Sequence, residues 1–375
     1  MADGRELEAW LCLSPRAGLG AAAVRRLLAA FGSPQAALDA GPGAWREVGG
    51  AEAAKALAQP SDVAQQMVSL GLQWQAQTAD AQVIALGEAA YPSALLQTAD
   101  PPFLLFCRGN IALLQQPSLA IVGSRHATAQ GLENARAFAT HLSDAGLCIV
   151  SGLAAGIDGA AHEGGLSGRG STIAVMGTGP EQLYPRRHQR LGERIAQEGL
   201  LLTEFAPGTP PLPINFPQRN RIIAGLSLGT LVVEAAVQSG SLITARMAAE
   251  CGREVFAIPG SIHSPVAKGC HRLIQQGAKL VETGEDILQE LQAQTALLGP
   301  AMAQAARPAR AAANATARSK DPVLSALGHD PMSLDGLVAR TGWPASDLSA
   351  RLLELELSGE VARLPGGHFQ RCGQA

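Results

Sequence analysis

The chain carries little charge for its length. Of its 375 residues only 16% are charged, and the formal net charge is −3. A strongly basic total would indicate a nucleic-acid binder, so any basic surface on this protein must be local. Hydrophobic residues make up 47%, which supports a large core, argues against wholesale disorder and, with the length, predicts two or three domains.

Paired cysteines, a signal peptide and a membrane span are also missing. The six cysteines are scattered without a CxxC pair, which argues against a zinc site and a disulfide scaffold and fits a reducing cytosol. The opening MADGRELEAW lacks the features of a signal peptide, and no apolar run approaches the ~20 residues that cross a bilayer. We therefore expect a cytoplasmic protein with no metal site and no membrane segment.

Two nucleotide-binding fingerprints are absent. The dinucleotide pattern GxGxxG fails because Gly123 is followed by Ser124 and Arg125. The GxxxxGK[ST] pattern of ATP-hydrolysing proteins is missing as well. The sequence thus disfavours a nicotinamide cofactor and this type of ATP hydrolysis, and it predicts that no cofactor is bound.

The stretch 119–156 predicts a strand, a turn, a helix and a second strand with its turn. Apolar runs at 119–122 and 147–150 each lead into small residues. Two buried parallel strands joined by a right-handed crossover bring both turns to one sheet edge, where ligands bind in such folds. Glycine amides, a helix N-terminus and the planar fork of Arg125 would then hold a phosphate.

Strands and helices continue to alternate to about residue 290, as in a doubly wound, Rossmann-like α/β domain. Residues 80–117 are interpreted as a lead-in with one strand at 103–107. The later predicted strands lie at 172–176, 200–203, 230–233, 254–258 and 279–281.

Residues 5–75 predict a small helical domain. Apolar spacing predicts a helix over 21–31, and Ser33 with Pro34 predicts the start of the next one. The glycine turn before 21–31 resembles a helix-hairpin-helix or SAM-like module, which binds a nucleic-acid backbone through N–H groups. The alternative is a packing module, which the scarcity of Lys and Arg favours.

The C-terminal part divides into a linker and a compact unit. Residues 296–320 are mostly Ala with Pro, Gln and Arg, which predicts a flexible, locally basic linker. Three helices and a β-hairpin follow, the pattern of a winged helix. Its third helix carries three carboxylates against one arginine, which favours a protein-contact or structural role over DNA reading. The predicted domains are 1–77, 78–295, 296–320 and 321–375.

The segment SGLAAGID follows a strand and opens a helix. Ser151 and the glycines offer a hydroxyl and backbone donors to a phosphate. Asp158 either caps the helix or orients Arg125 or a sugar hydroxyl. His162 lies one turn further on, within reach of Asp158. No nucleophile stands beside His162, so the sequence does not indicate catalysis here.

The segment FPQRNRII places two arginines before an apolar helical run. Arg219 and Arg221 cannot both be buried unpaired without a large cost. They therefore either face an anionic ligand or pair with acids such as Glu204 and Glu234. The ring of Phe216 either stacks on a base or packs in the core.

A further strand, turn and helix are predicted at 230–244. The hydroxyls and amides of Ser239-Gly240-Ser241 and Thr244 are expected to complete the same cleft, and Lys268 adds a cation.

Together these segments resemble the DNA-processing protein A family (DprA/Smf). The match covers about 118–290 in order and spacing. Its segments are AIVGSRHAT (120–128), IVSGLAAGIDGAAH (149–162), TIAVMGTG (172–179), Tyr184-Pro185, FPQRNRIIAGLS (216–227), LVVEA (231–235), SGSLITA (239–245) and REVFAIPG (253–260).

The resemblance implies a function that cannot be inferred from composition and motif spacing alone. Family members bind single-stranded DNA during natural transformation (competence), protect it and load the RecA recombinase for DNA recombination. They form homodimers through an extended Rossmann domain and have no established enzymatic activity. The family's GSR arginine corresponds to Arg125, and its FPxRNR segment corresponds to 216–221.

The chain departs from the family at three positions of the implied DNA pocket. Ser171 replaces a frequent Lys or Arg, for which Arg169 is a substitute, Ala155 replaces an Arg, and Gln130 replaces an aromatic residue. DNA affinity would then rest more on Arg219, Arg221 and Lys268.

Three hypotheses follow. The first is a single-stranded DNA-binding mediator. The second rests on GTLVVEA, which resembles the GTxxE turn of nucleotide phosphoribohydrolases and would make Glu234 the acid, although the PGG run before that turn is absent. The third is a structural adaptor for RecA without DNA contact.

The first hypothesis assigns DNA contacts to Gly123, Ser124, Arg125, Ser151, Gly152, Gly156, Arg169, Phe216, Arg219, Asn220, Arg221, Ser239, Gly240, Ser241, Thr244 and Lys268.

Overall fold

The computed structural model of the protein describes residues 4–13, 19–59, 62–298, 321–327, 331–364 and 366–371. Two compact units are formed by residues 1–116 with 173–226 (unit 1) and by 117–172 with 227–375 (unit 2). The predicted domain boundaries stay predictions, and residues 299–320 of the predicted linker lie outside the described residues.

The described elements follow the predicted alternation. Up to residue 167 they are α1 (Gly4–Leu13), α2 (Ala21–Phe31), α3 (Pro34–Asp39), α4 (Gly41–Ala44), a π-helical turn (Trp45–Gly49), α5 (Ala51–Ala58), α6 (Asp62–Gln77), β1 (Ala81–Ala85), α7 (Ser93–Leu96), β2 (Leu104–Gly109), a 3-10 turn (Ile111–Gln115), β3 (Ser118–Val122), α8 (Ala129–Asp144), β4 (Cys148–Ser151) and α9 (Ile157–Ser167).

The remaining elements complete both units. They are β5 (Thr172–Val175), a 3-10 turn (Arg186–His188), α10 (Gln189–Glu198), β6 (Leu200–Thr203), α11 (Asn215–Leu226), β7 (Gly229–Val232), α12 (Ser241–Glu250), β8 (Glu254–Ala257), α13 (Lys268–Gln275), β9 (Lys279–Leu280), α14 (Gly284–Leu298), α15 (Pro322–Leu327), β10 (Met332–Ser333), α16 (Leu334–Thr341), α17 (Ala345–Leu357), β11 (Val361–Leu364) and β12 (His368–Arg371).

Unit 1 combines the N-terminal helices with strands in the order β1-β2-β6-β5. The predicted start of α3 is confirmed, because the Ser33 hydroxyl accepts a hydrogen bond from the Ala36 N–H at 3.1 Å. Strand β1 was not predicted. It pairs antiparallel with β2, so that Val83 faces Phe106, and this pairing rather than a strong local pattern makes a strand of AQVIA.

Unit 2 holds parallel strands in the order β4-β3-β7-β8-β9. Ala120 of β3 aligns with Val150 of β4 on one side and with Thr230 of β7 on the other. The chain therefore leaves β3 in one direction and later returns to build the sheet in the other. Such a reversal opens a crevice at the carboxyl ends of the strands, where ligands of α/β folds bind. The α/β fold class is confirmed.

The C-terminal residues form the predicted winged helix. Helices α15, α16 and α17 pack around Val323, Leu337 and Leu352, and the hairpin gains a third short strand in the order β10-β12-β11. Arg351, the one cation of α17, lies 2.6 Å from Asp321 and 2.5 Å from Glu354. Because both partners are carboxylates of this domain, the pairing supports the expectation that α17 does not read DNA.

Candidate nucleic-acid interface

A half-buried carboxylate joins the loops that follow β3 and β7. Glu234 accepts hydrogen bonds from the Thr128 backbone N–H at 3.0 Å and from the Thr128 hydroxyl at 2.6 Å. The same hydroxyl caps α8 by accepting from the Gly131 N–H at 2.9 Å. Both walls of the crevice at the strand reversal are thereby held together.

The surroundings of Glu234 favour a structural role. Burial raises the pKa of its carboxyl group, and the Thr128 hydrogen bonds act in the opposite direction. A Cβ atom at position 131 would lie 2.4 Å from the Glu234 Cδ, so any larger residue there would displace this carboxylate. Sequence reasoning missed the contacts of Thr128 and Gly131, although threonine at the start of a predicted helix is a recognised N-cap residue.

The loop after β4 is organised by its own polar groups. The Ser151 hydroxyl donates to the Ile121 carbonyl at 2.7 Å, and the Asp158 carboxylate accepts from the Ala154 N–H at 3.2 Å. Leu153 adopts the left-handed region with φ +57°. Asp158 is the second residue of α9, whose N-cap is Gly156. Its observed contact with the loop before the helix is therefore neither the predicted helix cap nor the predicted contact with Arg125 or a sugar.

His162 is fully buried, and its hydrogen bonds define its tautomer. The Thr172 hydroxyl donates to the Ile149 carbonyl at 2.7 Å, so at 2.7 Å from His162 Nδ1 it acts as an acceptor. Nδ1 consequently carries the proton, and Nε2 accepts from the Leu153 N–H at 3.2 Å. His162 thus holds the left-handed residue of the loop in place.

Exposed cations lie at the same edge of unit 2. Arg125 is exposed directly after β3, and in the described part of the chain its side chain forms no ion pair or hydrogen bond. Lys268 is exposed at the first position of α13. The Gly269 N–H donates to the Ala235 carbonyl at 2.8 Å, which ties the start of α13 to the loop after β7. The two cations therefore flank the same set of loops.

The hydroxyl groups predicted to bind phosphate are largely engaged elsewhere. Ser239 Oγ lies 2.7 Å from Ser241 Oγ at the start of α12. Ser241 is 7% and Thr244 2% exposed, whereas Gly240 is exposed. Ser124 Oγ accepts from the His126 N–H at 3.1 Å. This edge consequently offers a ligand backbone amides and cations more than free hydroxyls.

Arg169 is not brought to this edge. It is exposed in the turn after α9, whereas Gly152 and Gly156 precede that helix. With 11 residues in α9, the two ends are about 16 Å apart.

The FPQRNR residues lie on α11 in unit 1, where both arginines make internal contacts. Arg219 is 3% exposed, donates to the Val175 carbonyl and lies 6.0 Å from the Phe216 ring centre. Arg221 pairs with Glu204 and lies 3.5 Å from Asp100. Of the two alternatives for Arg221, the structure shows pairing with Glu204. Asn220 is half-buried.

Phe216 is half-buried at the start of α11. A Cβ atom at Gly177 would lie 2.9 Å from its ring, and the exposed ring of Tyr184 is 5.5 Å away, centre to centre. Both core packing and an accessible aromatic surface are thus present at this position.

The described residues contain no group of three or more His, Cys, Asp or Glu placed to hold a metal ion. Among these residues, no helix has the length and apolarity to cross a membrane.

Comparison with known proteins gives consistent matches. The family model for DNA recombination-mediator protein A matches residues 82–292, and that for the DprA winged helix domain matches 307–367. Protein Smf of Escherichia coli K12 is 43% identical over 290 residues, which cover 75% of each chain. The DNA processing protein DprA of Streptococcus pneumoniae R6 is 50% identical over 202 residues, 54% of this chain and 71% of the relative.

Two solved structures are also similar. DprA of Streptococcus pneumoniae aligns with a TM-score of 0.66 and 38% identity, covering 77% of this chain and 98% of that one. DNA processing protein A of Helicobacter pylori, described for its single-stranded DNA binding mode, aligns with a TM-score of 0.52 and 29% identity. That match covers 57% of this chain and 97% of the Helicobacter chain.

Proposed function

Because the chain belongs to the DNA-processing protein A (DprA/Smf) family, we propose that it binds single-stranded DNA through the carboxyl edge of unit 2. The observation that carries this proposal is the exposed Arg125 at the strand reversal, without an internal partner in the described part of the chain. Its guanidinium holds a phosphate through two hydrogen bonds. The single-stranded DNA binding of the Helicobacter pylori relative supports the choice of ligand.

The internal contacts of the arginines on α11 change which residues we propose to contact DNA. Backbone N–H groups would come from Gly123, Gly152, Gly156 and Gly240, and Lys268 would supply a second cation. Arg219 and Arg221 would act by stabilising unit 1, since each already has an acceptor there.

We expect Arg125→Ala to weaken binding of labelled oligo-dT by about tenfold, the effect of losing ~1.4 kcal/mol of charge-assisted contact. For each lost phosphate contact, the plot of log binding constant against log salt concentration should become shallower, its slope decreasing in magnitude by about 0.7. Fluorescence anisotropy at low and moderate salt measures both quantities. The fold should be intact, because Arg125 is exposed.

Arg169→Ala is the matched control for this experiment. It removes the same charge from an exposed position at the far end of α9. Its affinity should equal that of the wild type. Unchanged binding by Arg125→Ala would refute the proposed site, and binding of no oligo-dT by the wild type would favour an adaptor without DNA contact.

We further propose that the protein is cytoplasmic and has the family's cellular role: protection of DNA taken up in natural transformation and loading of RecA. A faster assembly of RecA on oligo-dT in its presence would support this role, and an unchanged rate would contradict it. We propose no enzymatic activity. Both oxygens of Glu234 accept hydrogen bonds from Thr128, which disfavours this residue as the acid of a phosphoribohydrolase.

We also propose a homodimer formed through the exposed side of α12 and the turn before it. Val237 is 45% and Ile243 38% exposed, and both line a cavity of about 520 Å³ with Leu242 and Leu273. Exposed apolar groups of this kind mark association surfaces. Light scattering should give twice the chain mass for the wild type and the chain mass for Val237→Glu/Ile243→Glu. A monomeric wild type would exclude the dimer.

A further inference from the structure

A set of arginines lies at the start of α10 in unit 1, and neither the sequence motifs nor the proposed site uses it. Arg186 and Arg187 stand in the turn before the helix, and Arg190 and Arg194 follow on it. All four are exposed, and they line one shallow depression. Arg190 and Arg194 are four residues apart on α10, about 6 Å along the helix, and so share one face. Arg187 lines the same depression from the turn before the helix.

The acidic residues of this helix are already engaged. Glu193 lies 2.9 Å from Arg108, and Glu198 lies 3.1 Å from Arg194. Among the described residues, Arg186, Arg187 and Arg190 have no ion-pair partner. Three uncompensated guanidinium groups therefore stand together on a chain whose net charge is −3. Such a local excess attracts polyanions, and guanidinium matches phosphate geometry.

An aromatic side chain precedes these arginines. Tyr184 is 46% exposed, and its ring lies 5.5 Å from the Phe216 ring, centre to centre. Proteins that bind single strands combine a positive surface for the backbone with exposed rings on which bases stack. An acidic peptide would use the arginines alone, so the tyrosine favours a nucleic acid as the ligand.

We propose that Arg187, Arg190 and Tyr184 form a second contact surface for single-stranded DNA, carried by unit 1. The arginines bind consecutive backbone phosphates, and the tyrosine ring stacks on a base. The choice of ligand rests on the function proposed above, whereas the surface itself uses none of the residues of unit 2.

The test uses Arg187→Gln/Arg190→Gln in the full chain with oligo-dT of about 30 and about 6 nucleotides, lengths above and within a typical single-strand site. We expect the long strand to bind about tenfold more weakly. The slope of log binding constant against log salt concentration should decrease in magnitude by about 1.4, because two phosphate contacts are lost. The short strand should bind this variant with the same affinity as it binds the wild type, because the proposed site in unit 2 suffices for it. Tyr184→Ala should lower the affinity for the long strand at least about fivefold.

Arg46→Gln/Lys55→Gln is the control, because it removes the same charge from exposed positions of unit 1. It should leave the affinity for the long strand unchanged. Equal loss in this control, or no loss in Arg187→Gln/Arg190→Gln, would overturn the second surface. If Arg125→Ala still weakened both strands, the function proposed for unit 2 would stand.

Two further outcomes would also overturn the inference. Equal loss for the short strand would assign the arginines to a single common site. Competition by poly-glutamate of matched charge, as effective as oligo-dT, would assign the surface to acidic protein segments. The Tm of the variants that replace arginine or lysine should equal that of the wild type, since those side chains are exposed.

Discussion

Arg221→Ala is expected to lower the free energy of unfolding of unit 1 by about 3 kcal/mol. The substitution leaves Glu204 without its guanidinium partner, and breaking a buried ion pair costs about 3–5 kcal/mol. The lower end applies because the two side chains are still 23% and 16% exposed. Urea unfolding followed by tryptophan fluorescence reports on this unit, since Trp10, Trp45 and Trp74 lie in it and only Trp343 does not.

The loss should depend on pH in a defined direction. Burial raises the pKa of Glu204, and Arg221 lowers it, so removing Arg221 raises this pKa further. A carboxyl group whose pKa is raised on folding favours the folded state when it is protonated. This contribution to stability is lost as the pH rises through that pKa. The destabilisation should therefore be smaller at about pH 5 than at about pH 7.

The control is Arg221→Ala/Glu204→Gln, which removes the charge that would be left buried. It should recover part of the stability and lose the added pH dependence. If Arg221→Ala instead kept full stability and lost oligo-dT binding, Arg221 would be a DNA ligand and not a structural cation.

Gly156→Ala is expected to weaken oligo-dT binding at least as much as Arg125→Ala. Gly156 has φ +77°, and an added Cβ would lie 2.2 Å from the Ser124 carbonyl oxygen and 3.0 Å from the Arg125 carbonyl carbon. The loop that carries Arg125 must therefore move. The strained backbone should also lower the free energy of unfolding by roughly 1–3 kcal/mol.

Gly146→Ala separates strain from displacement. Gly146 also has a positive φ, +94°, but a Cβ there meets nothing within 4 Å. This variant should lose stability through its backbone conformation and keep its DNA affinity. Unchanged affinity in a folded Gly156→Ala variant would show that the position of Arg125 does not govern binding. Anisotropy titrations and thermal unfolding of both variants give the comparison.

Local patterns were sufficient where one element decides the outcome. The predicted helix 21–31 and the helical start at Ser33 and Pro34 agree with α2 and α3, because caps and proline act within a few residues. The same holds for the winged helix, whose three predicted helices are present as α15, α16 and α17. Strand β1 was missed, since its pairing with β2 joins segments about 20 residues apart in the sequence.

By itself, the sequence determined the α/β alternation, the winged helix, the family and the position of Arg125 directly after a buried strand. Each follows from periodicity, turn residues or motif order, which are local properties of the chain. The partners of charged side chains were decided only by the tertiary structure. Glu204 lies 17 positions from Arg221, and Glu234 lies 106 positions from Thr128. Whether an arginine or a carboxylate is free to meet a ligand depends on such distant neighbours, because burial and pairing are properties of the packed chain.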